Sequence, residues 1–305
     1  MTNILAIMLT IASTGTTLKS APIDTIGLRA KIQTEFAKQP AGTFAVAVKD
    51  LSTGQQFLIN AHETYHAAST MKTPVMIEAF KQAKAGKFKI SDSIVVKSTF
   101  KSILDGSDYT MDSLNDSETE LYKKVGEKLP ISDILFRMIT KSSNLATNNM
   151  IEIVGAKNVT ATMRSFGAKK MEILRGVEDT KAFEKGMNNT TNAYDLMLVM
   201  ERIAKGTAVD KKSTEAMLDI LFHQHYTDKI AGKLPAGVKV ASKSGSIATP
   251  PIMHDSGIVF LPDGRKYVIV LLSRDVADLP ASANTLADVS KIIYDHIANT
   301  ATKLK

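Results

Sequence analysis

The chain of 305 residues contains no cysteine and no tryptophan, and aromatic residues make up only 6% of it. The missing thiols exclude disulfide bonds, a thiolate nucleophile, cysteine-ligated zinc and iron–sulfur clusters. With 44% hydrophobic and 23% charged residues, the composition is that of a globular protein with a full core, built as one large domain or two packed ones. The net charge is +7, but the lysines are scattered rather than gathered in a basic tail, so no nucleic-acid partner is predicted.

No hydrophobic run reaches the length of a membrane span. One apolar run, Ile4–Ala12, has the length of the hydrophobic part of a signal peptide. It lacks a preceding Lys or Arg and a sharp cleavage site, and a frayed apolar terminus is the alternative. We predict a signal peptide over residues 1–21, and with it an exported protein, periplasmic or secreted.

Helical periodicity marks both ends and the middle of the chain. Residues 23–38 and 282–299 are predicted helices. The first helix is expected to bury one face, formed by Ile26, Ile32 and Phe36. In the middle, one stripe repeats at i, i+3, i+4, i+7 and i+8: Ile131, Ile134, Leu135, Met138 and Ile139.

Strand signals lie on both sides of that helical middle. Five segments have strand character: 43–48, 56–59, 238–242, 257–261 and 267–272. The turn sequences Ser52–Gly54 and Pro262–Gly264 predict two hairpins. This order predicts an α/β plus all-α fold, an antiparallel sheet flanked by terminal helices with an inserted helical domain. The sheet domain is expected to comprise residues 22–68 and 222–305 and the helical domain residues 69–221, with the active site between them.

Ser69 and Lys72 lie where a helix is predicted to begin. Pro74 is tolerated only in the first turn of a helix, which locates the start within about one turn. Ser69 and Lys72 then share a face. A serine hydroxyl becomes a good nucleophile when a base takes its proton, and a desolvated lysine can do so. The pair alone is weak evidence, because Ser69 could be a helix cap and because Ser98 and Lys101 repeat the spacing.

Two further polar groups follow predicted elements. Ser142 and Asn144 come after the buried helical stripe, where a short turn can project both side chains into a cleft. Lys243, Ser244 and Gly245 end a predicted strand with a cation, a hydroxyl and a glycine that lets a ligand approach the backbone. Each group alone has an ordinary structural explanation, as a helix start or as a solvated end of a strand.

Three motifs occur in the order of a known family: Ser69-x-x-Lys72, Ser142-Ser143-Asn144 and Lys243-Ser244-Gly245. This set resembles the signature of the class A β-lactamases and related penicillin-recognising serine enzymes. The likeness extends over roughly residues 25–300. It implies a β-lactamase/transpeptidase-like fold and a serine hydrolase that needs neither cofactor nor metal. The implied partner is a small β-lactam or peptide-like substrate, and the chain is expected to be a monomer.

The resemblance implies catalytic roles for matching residues. Ser69 would attack the carbonyl carbon and Lys72 would take part in activating it. Ser142 would pass a proton to the leaving nitrogen, and Lys243 would hold the substrate carboxylate and raise the local positive potential. The backbone N–H groups of Ser69 and Ser246 would form the oxyanion hole.

The resemblance also implies roles around those groups. Asn144 would bind the amide of the substrate's side chain, and Ser244, beside Gly245, would bind its carboxylate. Asn148 and Arg175 would support the neighbouring loop. Two departures are mild, since Ser143 stands where the family usually has Asp and Ser244 where it commonly has Thr.

A third departure concerns the water that hydrolyses the acyl-enzyme. The family's loop has an Arg, a Glu two residues later, and then Leu-Asn, and that Glu activates the water. Here Glu178 follows Arg175 by three residues and no Leu-Asn comes after it. Either the loop is remodelled with Glu178 in the same role, or rapid deacylation is missing. Glu184 is a poorer candidate.

The alternatives to a β-lactamase belong to three classes. One is a slowly deacylating penicillin-binding or D,D-peptidase-like enzyme, and another is a noncatalytic module that only captures the ligand. The segment His62–His66 matches H-E-x-x-H, a zinc protease pattern that requires a helix. It follows a predicted strand at once and lacks an evident third ligand. His223 and His225 are a weaker metal hint and fit a surface turn better.

Overall fold

The computed structural model describes residues 19–20, 25–299 and 301–302. Residues 1–18, which hold the apolar run of the predicted signal peptide, lie outside the described residues. Within the described ranges, no helix is both long enough and apolar enough to cross a membrane.

The helices and strands of the described residues follow the chain in this order. The α-helices are α1 Thr25–Phe36, α2 Lys72–Lys84, α3 Ile131–Thr140, α4 Asn144–Val154, α5 Ala156–Ser165, α6 Thr180–Glu184, α7 Ala193–Ala204, α8 Lys211–Phe222 and α9 Leu279–Asn299. The 3₁₀ helices are Ala68–Met71 and Glu120–Lys124. The strands are β1 Lys19–Ser20, β2 Thr43–Asp50, β3 Gln56–Ile59, β4 Tyr65–His66, β5 Ser93–Val95, β6 Thr99–Lys101, β7 Asp108–Thr110, β8 Lys128–Pro130, β9 Thr190–Thr191, β10 Lys239–Ile247, β11 Ile252–Phe260, β12 Lys266–Arg274 and β13 Ala301–Thr302.

Five of these strands form an antiparallel sheet in the order β10-β11-β12-β2-β3. Strand β12 pairs with β2, with Val270 opposite Ala47. This pairing places strands from the N-terminal and C-terminal parts of the chain side by side. Both predicted hairpins are present, and each predicted strand lies in or overlaps an observed one. The predicted fold class, an antiparallel sheet with terminal helices and an inserted helical part, is confirmed.

The two faces of the sheet support two hydrophobic cores. Strand β2 alternates, so that Val46 and Val48 pack with α1 and α9 while Ala45 and Ala47 face the helices inserted between β3 and β10. Helix α7 lies on that second face, against β2 and β12. The division into domains at residues 69 and 221 stays a prediction.

Helix α1 buries a different face from the predicted one. Leu28 and Ile32 are buried, and the ring of Phe36 stacks on Phe44, whereas Ile26 is 84% exposed. The prediction for Ile26 is wrong because residues 28, 32 and 36 repeat at four-residue spacing, while Ile26 lies about 120° away from Ile32 on the helix surface.

The inserted segment is mainly helical, and all five residues of the α3 stripe are buried, as predicted. It also contains short strands, including the β6–β7 hairpin. This hairpin carries Lys101, which repeats with Ser98 the spacing of Ser69 and Lys72. Its 3₁₀ turn at Ala68–Met71 packs against the edge strand β10. This contact brings the Ser69 motif beside the Lys243 motif.

Candidate active site

Ser69 lies in the 3₁₀ turn immediately before α2, which begins at Lys72. The predicted helix start is therefore correct to within a turn, with the serine in a tighter turn than an α-helix. The preceding Ala68 has a positive φ of 44°, and its N–H donates to His66 Nδ1 at 3.0 Å. This local turn leaves the Ser69 side chain partly exposed at the cleft.

Gly245 explains how strand β10 reaches this turn. A Cβ atom at Gly245 would lie 2.8 Å from Ser69 N and 3.0 Å from Thr70 N. The missing side chain of Gly245 therefore leaves room for the backbone of the Ser69 turn, whereas the sequence analysis expected it to leave room for a ligand. The motif is also inside β10 rather than at its end, because its pairing with β11 continues to Ile247.

Lys72 is a fully buried hydrogen-bond donor at the centre of the site. Its Nζ donates to Ser142 O at 2.6 Å, to Ser142 Oγ at 3.2 Å and to Asn144 Oδ1 at 2.9 Å. Burial lowers the pKa of Lys72 to about 7, against the opposing attraction of Asp116 and Glu178. Near neutral pH a large fraction of this amine is consequently neutral and able to accept a proton.

Ser142 receives hydrogen bonds from two lysines. Its Oγ accepts from Lys72 Nζ and, at 3.1 Å, from Lys243 Nζ. The residue has a positive φ of 59° in the turn between α3 and α4, an unfavourable backbone conformation for serine. The pKa of Lys243 is held well below its usual value, mainly by burial and to a smaller extent by the positive charge of the nearby Lys72.

A further buried cation lies in the same region. Lys229 is 5% exposed and lines the cleft beside Ser244 and Ser246. Asp255 attracts both Lys229 and Lys243 but is itself completely buried, and burial raises its pKa to about 6 despite these cations. Lys229 Nζ also pairs with Asp228 Oδ1 at 2.5 Å, so the cleft on this side of Ser69 combines lysines that face buried or paired carboxylates with hydroxyl groups.

The loop that carries Glu178 adopts an unusual backbone conformation at that residue. Glu178 has a positive φ of 61°, and its Oε1 accepts a hydrogen bond from Asn144 Nδ2 at 2.7 Å. Burial raises the pKa of Glu178, while the bond from Asn144 opposes that rise. The loop thus brings Glu178 to the site, whereas Glu184 is exposed at the end of α6.

Asn148 and Arg175 hold this loop from two sides. Asn148 Oδ1 accepts from Val177 N at 2.6 Å, and Asn148 Nδ2 donates to Val177 O at 3.0 Å. Arg175 donates to Met187 O at 2.9 Å and to Asn188 Oδ1 at 3.0 Å. Both side chains therefore bind the loop backbone or its flanking segment.

Ser69 lies between two cavities of about 270 Å³ and 250 Å³, which share Ser69, Asn144 and Ser246 in their walls. The first extends beneath the Glu178 loop and is lined largely by apolar atoms. The second extends past Ser142 and Ser244 towards Lys229 and is lined largely by polar atoms. A ligand centred on Ser69 would reach both cavities.

The residues of the H-E-x-x-H pattern have separate structural contacts. His62 packs against Tyr194, Glu63 pairs with Arg274 at 3.1 Å, and His66 belongs to the short strand β4. The helix that the zinc pattern requires is not formed by these residues. Across the described ranges, no group of three or more His, Cys, Asp or Glu side chains is placed to hold a metal ion.

The structure brings together all of the site residues named from the motifs, and it adds two that the sequence did not indicate. Lys229 precedes β10 in a segment without any motif. Asp116 lies in the loop between β7 and β8, and its carboxylate contacts the start of α4. No local pattern marks either residue, since both reach the site through tertiary contacts.

Comparisons with known proteins identify the family of this chain. A sequence model described as "Beta-lactamase enzyme family" matches residues 27–297. The chain is 23% identical over 204 residues to Beta-lactamase CARB-3 of Pseudomonas aeruginosa, covering 66% of this chain and 66% of that one, just under two thirds of the relative's length.

Solved structures agree along nearly the whole chain. A beta-lactamase from Sphaerobacter thermophilus is 25% identical, with a TM-score of 0.78, 91% of this chain covered and 98% of that chain. PBP-A is 23% identical with the same TM-score of 0.78, 92% of this chain covered and 100% of that one, a likeness of fold. Together with the family match over residues 27–297, the site geometry leads to one assignment. The chain belongs to the β-lactamase enzyme family.

Proposed function

We propose that this protein is a class A-like serine β-lactamase that opens the β-lactam amide through an acyl-enzyme on Ser69. The observation that carries the proposal is that Ser69 lies in the turn that leads directly into helix α2 at the buried Lys72, whose pKa is lowered to about 7. Ser142, Lys243 and Glu178 surround the same cleft. Two of the relatives named above, Beta-lactamase CARB-3 and the Sphaerobacter thermophilus protein, are β-lactamases by name, which supports the substrate class.

In the acylation step, the neutral Lys72 amine takes the proton of the Ser69 hydroxyl, directly or through Ser142. The Ser69 oxygen then bonds to the lactam carbonyl carbon, and the carbonyl oxygen takes up the negative charge. The backbone N–H groups of Ser69 and Ser246 stabilise this oxyanion, and one such donor contributes about a hundredfold to a thousandfold in rate.

In the ring-opening step, the carbon–nitrogen bond breaks and the nitrogen accepts a proton from the Ser142 hydroxyl. Lys72 Nζ and Lys243 Nζ lie 3.2 Å and 3.1 Å from Ser142 Oγ, so either lysine can stabilise the oxygen as its proton leaves. The proton taken from Ser69 then returns to Ser142 from Lys72. The product is an ester between Ser69 and the opened substrate.

In the deacylation step, the Glu178 carboxylate takes a proton from a water molecule, which attacks the ester carbonyl carbon. The ester bond breaks, and the proton held by Glu178 passes to the Ser69 oxygen, which restores the carboxylate and releases the opened substrate as an acid. Glu178 lines the same cavity as Ser69, and Asn144 holds its carboxylate by a 2.7 Å hydrogen bond. Burial raises the pKa of Glu178, which makes it a stronger base while ionised.

The charge of the cleft orients the substrate. We infer that its carboxylate binds at Ser244 and Lys243, with Lys229 supplying a second buried cation at that end. The amide of its side chain would contact Asn144, and the side chain would occupy the apolar cavity beneath the Glu178 loop. The reactive carbonyl then lies over Ser69.

A slowly deacylating, penicillin-binding enzyme is the second candidate function. It is favoured by the residues after Glu178, where Asp179 and Thr180 replace the Leu-Asn expected from the resemblance. Asp179 caps helix α6, so it is committed to a structural contact rather than to binding water. Such an enzyme would share the acylation step and accumulate the acyl-enzyme.

The direct test is turnover of a chromogenic cephalosporin together with intact protein mass. The parent is expected to turn over the substrate continuously, and Ser69→Ala to lose both turnover and covalent labelling. Ser98→Ala, which removes the serine of the repeated spacing, is the matched control and should retain both. Labelling that survives in Ser69→Ala would refute the mechanism.

Export and a monomeric state are part of the proposal. The apolar run Ile4–Ala12 supports export, although it lies outside the described residues. Fractionation of expressing cells is expected to place the protein in the periplasm or medium, and deletion of residues 2–18 is expected to retain it inside. Light scattering of the purified protein is expected to give the monomer mass.

A further inference from the structure

We propose that Asp116 is a positioning residue for the Ser142–Asn144 turn and supplies, from a neighbouring loop, the carboxylate that the family usually has at position 143. This inference rests on the proposed function for its catalytic consequence, but its structural part is independent of any substrate. It concerns a residue outside all three sequence motifs.

Asp116 is buried against the start of α4. Its Oδ2 accepts hydrogen bonds from Asn144 N and Leu145 N, both at 2.8 Å. The same oxygen lies 3.4 Å from Ser143 Oγ and 3.2 Å from the Tyr122 hydroxyl. One carboxylate oxygen from outside the helix therefore contacts the Ser142–Asn144 motif and the first residue beyond it.

These contacts satisfy groups that a helix cannot satisfy alone. The first N–H groups of a helix have no partner within it, and a carboxylate beside them is favoured by the helix dipole. Ser143 is the N-cap of α4, but its Oγ accepts only from Ala146 N, at 3.2 Å. Asp116 takes the two preceding N–H groups, so the capping work is divided between two residues.

The loop around Asp116 holds the turn from both sides. Ser117 Oγ donates to Lys141 O at 2.7 Å, before Ser142, while Asp116 binds the backbone after it. The turn between them contains the positive φ of Ser142, a conformation that persists only where surrounding contacts enforce it. Asp116 and Ser117 supply two of those contacts, beside the hydrogen bond from Lys72 Nζ to Ser142 O.

The position of this turn controls the reacting groups. Ser142 O and Oγ and Asn144 Oδ1 are the three acceptors of Lys72 Nζ. Asn144 also carries the hydrogen bond to Glu178. A shift of the turn would therefore misplace the proton donor, the amine and the deacylating carboxylate together.

The test compares Asp116→Asn with the double variant Asp116→Asn/Ser143→Asp. An Asp at the N-cap can accept from the N–H of Leu145 and restores the negative charge at the helix start. Asp112→Asn is the matched control, because this exposed carboxylate of the same loop bonds only within it, to Leu114 N at 2.8 Å. The readouts are the acylation rate with a chromogenic cephalosporin and the hydrogen exchange of the Asn144 and Leu145 amides.

Asp116→Asn is expected to slow acylation by about tenfold to a hundredfold, the cost of a misplacement of about 1 Å. It should also speed exchange of the two amides, and Ser143→Asp should reverse the slowing of acylation and the faster exchange of the Leu145 amide, which an N-cap side chain can reach. Parental behaviour of Asp116→Asn would overturn the proposal. A failure of Ser143→Asp to restore either property, or an equal defect in Asp112→Asn, would also overturn it.

Two further results are informative. If Asp116→Asn does not fold, the double variant decides: folding with acylation supports the proposal, and failure to fold overturns it. If the parent itself is not acylated, the proposed function fails while the exchange experiment still tests Asp116. Faster exchange in Asp116→Asn that Ser143→Asp reverses at Leu145 then supports the structural role alone, and unchanged exchange overturns it.

Discussion

The side-chain amide of Asn144 donates to Glu178 Oε1 at 2.7 Å. This bond links the second sequence motif to the carboxylate of a loop that departs from the family pattern. The carbonyl oxygen of the same side chain accepts from Lys72 Nζ at 2.9 Å. One asparagine therefore joins the groups proposed to act in acylation and in deacylation.

The first prediction concerns the pH dependence of acylation. Burial lowers the pKa of Lys72 to about 7, and the neutral amine is the form that accepts a proton. The acylation rate is thus expected to rise with pH through about 7 and then level off. Lys72→Ala should slow acylation by about a hundredfold to ten thousandfold.

Single-turnover kinetics between pH 5.5 and 8.5, a range of about 1.5 pH units on either side of that pKa, measure both effects. Lys84→Ala, an exposed lysine on the same helix α2, is the control and should behave as the parent. A flat profile in the parent would remove Lys72 from the role of base.

The second prediction concerns Lys229 and the substrate's carboxylate. Lys229→Met keeps the length of the side chain and removes the buried charge. Because a hydrogen bond to a charged group contributes about 1.5–3 kcal/mol, KM should rise by about tenfold or more with little change in kcat. For a β-lactam whose carboxylate is esterified, the KM of the variant and that of the parent should be equal.

Steady-state kinetics with the acid and the ester forms provide the measurement. Lys233→Met, which removes a more exposed lysine paired with Asp288, should leave KM unchanged. An equal rise of KM for acid and ester would argue against charge recognition by Lys229.

The third prediction concerns Asn148. Replacing it with alanine leaves Val177 N–H without its partner and removes one of the two donors to Val177 O, the other being the Tyr109 hydroxyl, which should lower the free energy of unfolding by about 1–3 kcal/mol. The Glu178 loop should also be less well held, so that deacylation slows more than acylation. Urea unfolding and single-turnover kinetics check the two parts, with the exposed Asn158→Ala as control. An equal loss of stability in both variants would contradict the account.

The fourth prediction concerns stability in acid. His254 is fully buried, and burial lowers its pKa to about 4, below the value near 6.5 of an unfolded histidine. The unfolded chain therefore binds this proton more readily, so stability is complete above pH 6.5 and is lost as the pH falls towards 4. The loss at this residue is about 3 kcal/mol.

Unfolding free energies measured between pH 4 and 7.5, a range that spans the folded pKa of about 4, test this prediction. His254→Asn should reduce the slope of that part of the profile, to which His66, whose pKa burial also lowers to about 4, contributes as well, while the exposed His225→Asn should not reduce it. A parent whose stability does not change between pH 6.5 and about 4 would contradict the assignment of a buried neutral histidine.

Much of the fold and site could be predicted because the signals are local. The α3 stripe and the five strands are periodic within a few residues, and the three motifs are short. The prediction for Ile26 is wrong because a helix of marginal amphipathicity offers more than one face, and only packing against the sheet selects Leu28 and Ile32. Strand β10 extends further than its sequence indicates because β11 pairs with its serines and glycine.

The rest of the site depends on contacts between distant segments. Asp116 and Lys229 come from connections without a motif, and their significance appears only when α4 and β10 are placed beside them. The sequence indicates Glu178 as a candidate, but its contact with Asn144 depends on a positive φ that a sequence does not encode for glutamate.

The central claim is that Glu178 completes a hydrolytic cycle that begins on Ser69. The most direct measurement is the intact mass of parent and Glu178→Gln at successive times after mixing with a chromogenic cephalosporin. The amide keeps the size of the side chain and loses its basicity, so the variant is expected to acylate normally and to accumulate the adduct, while the parent returns to its free mass. Equal turnover in both proteins, with no adduct on the variant, or an adduct that persists equally on the parent, would contradict the account.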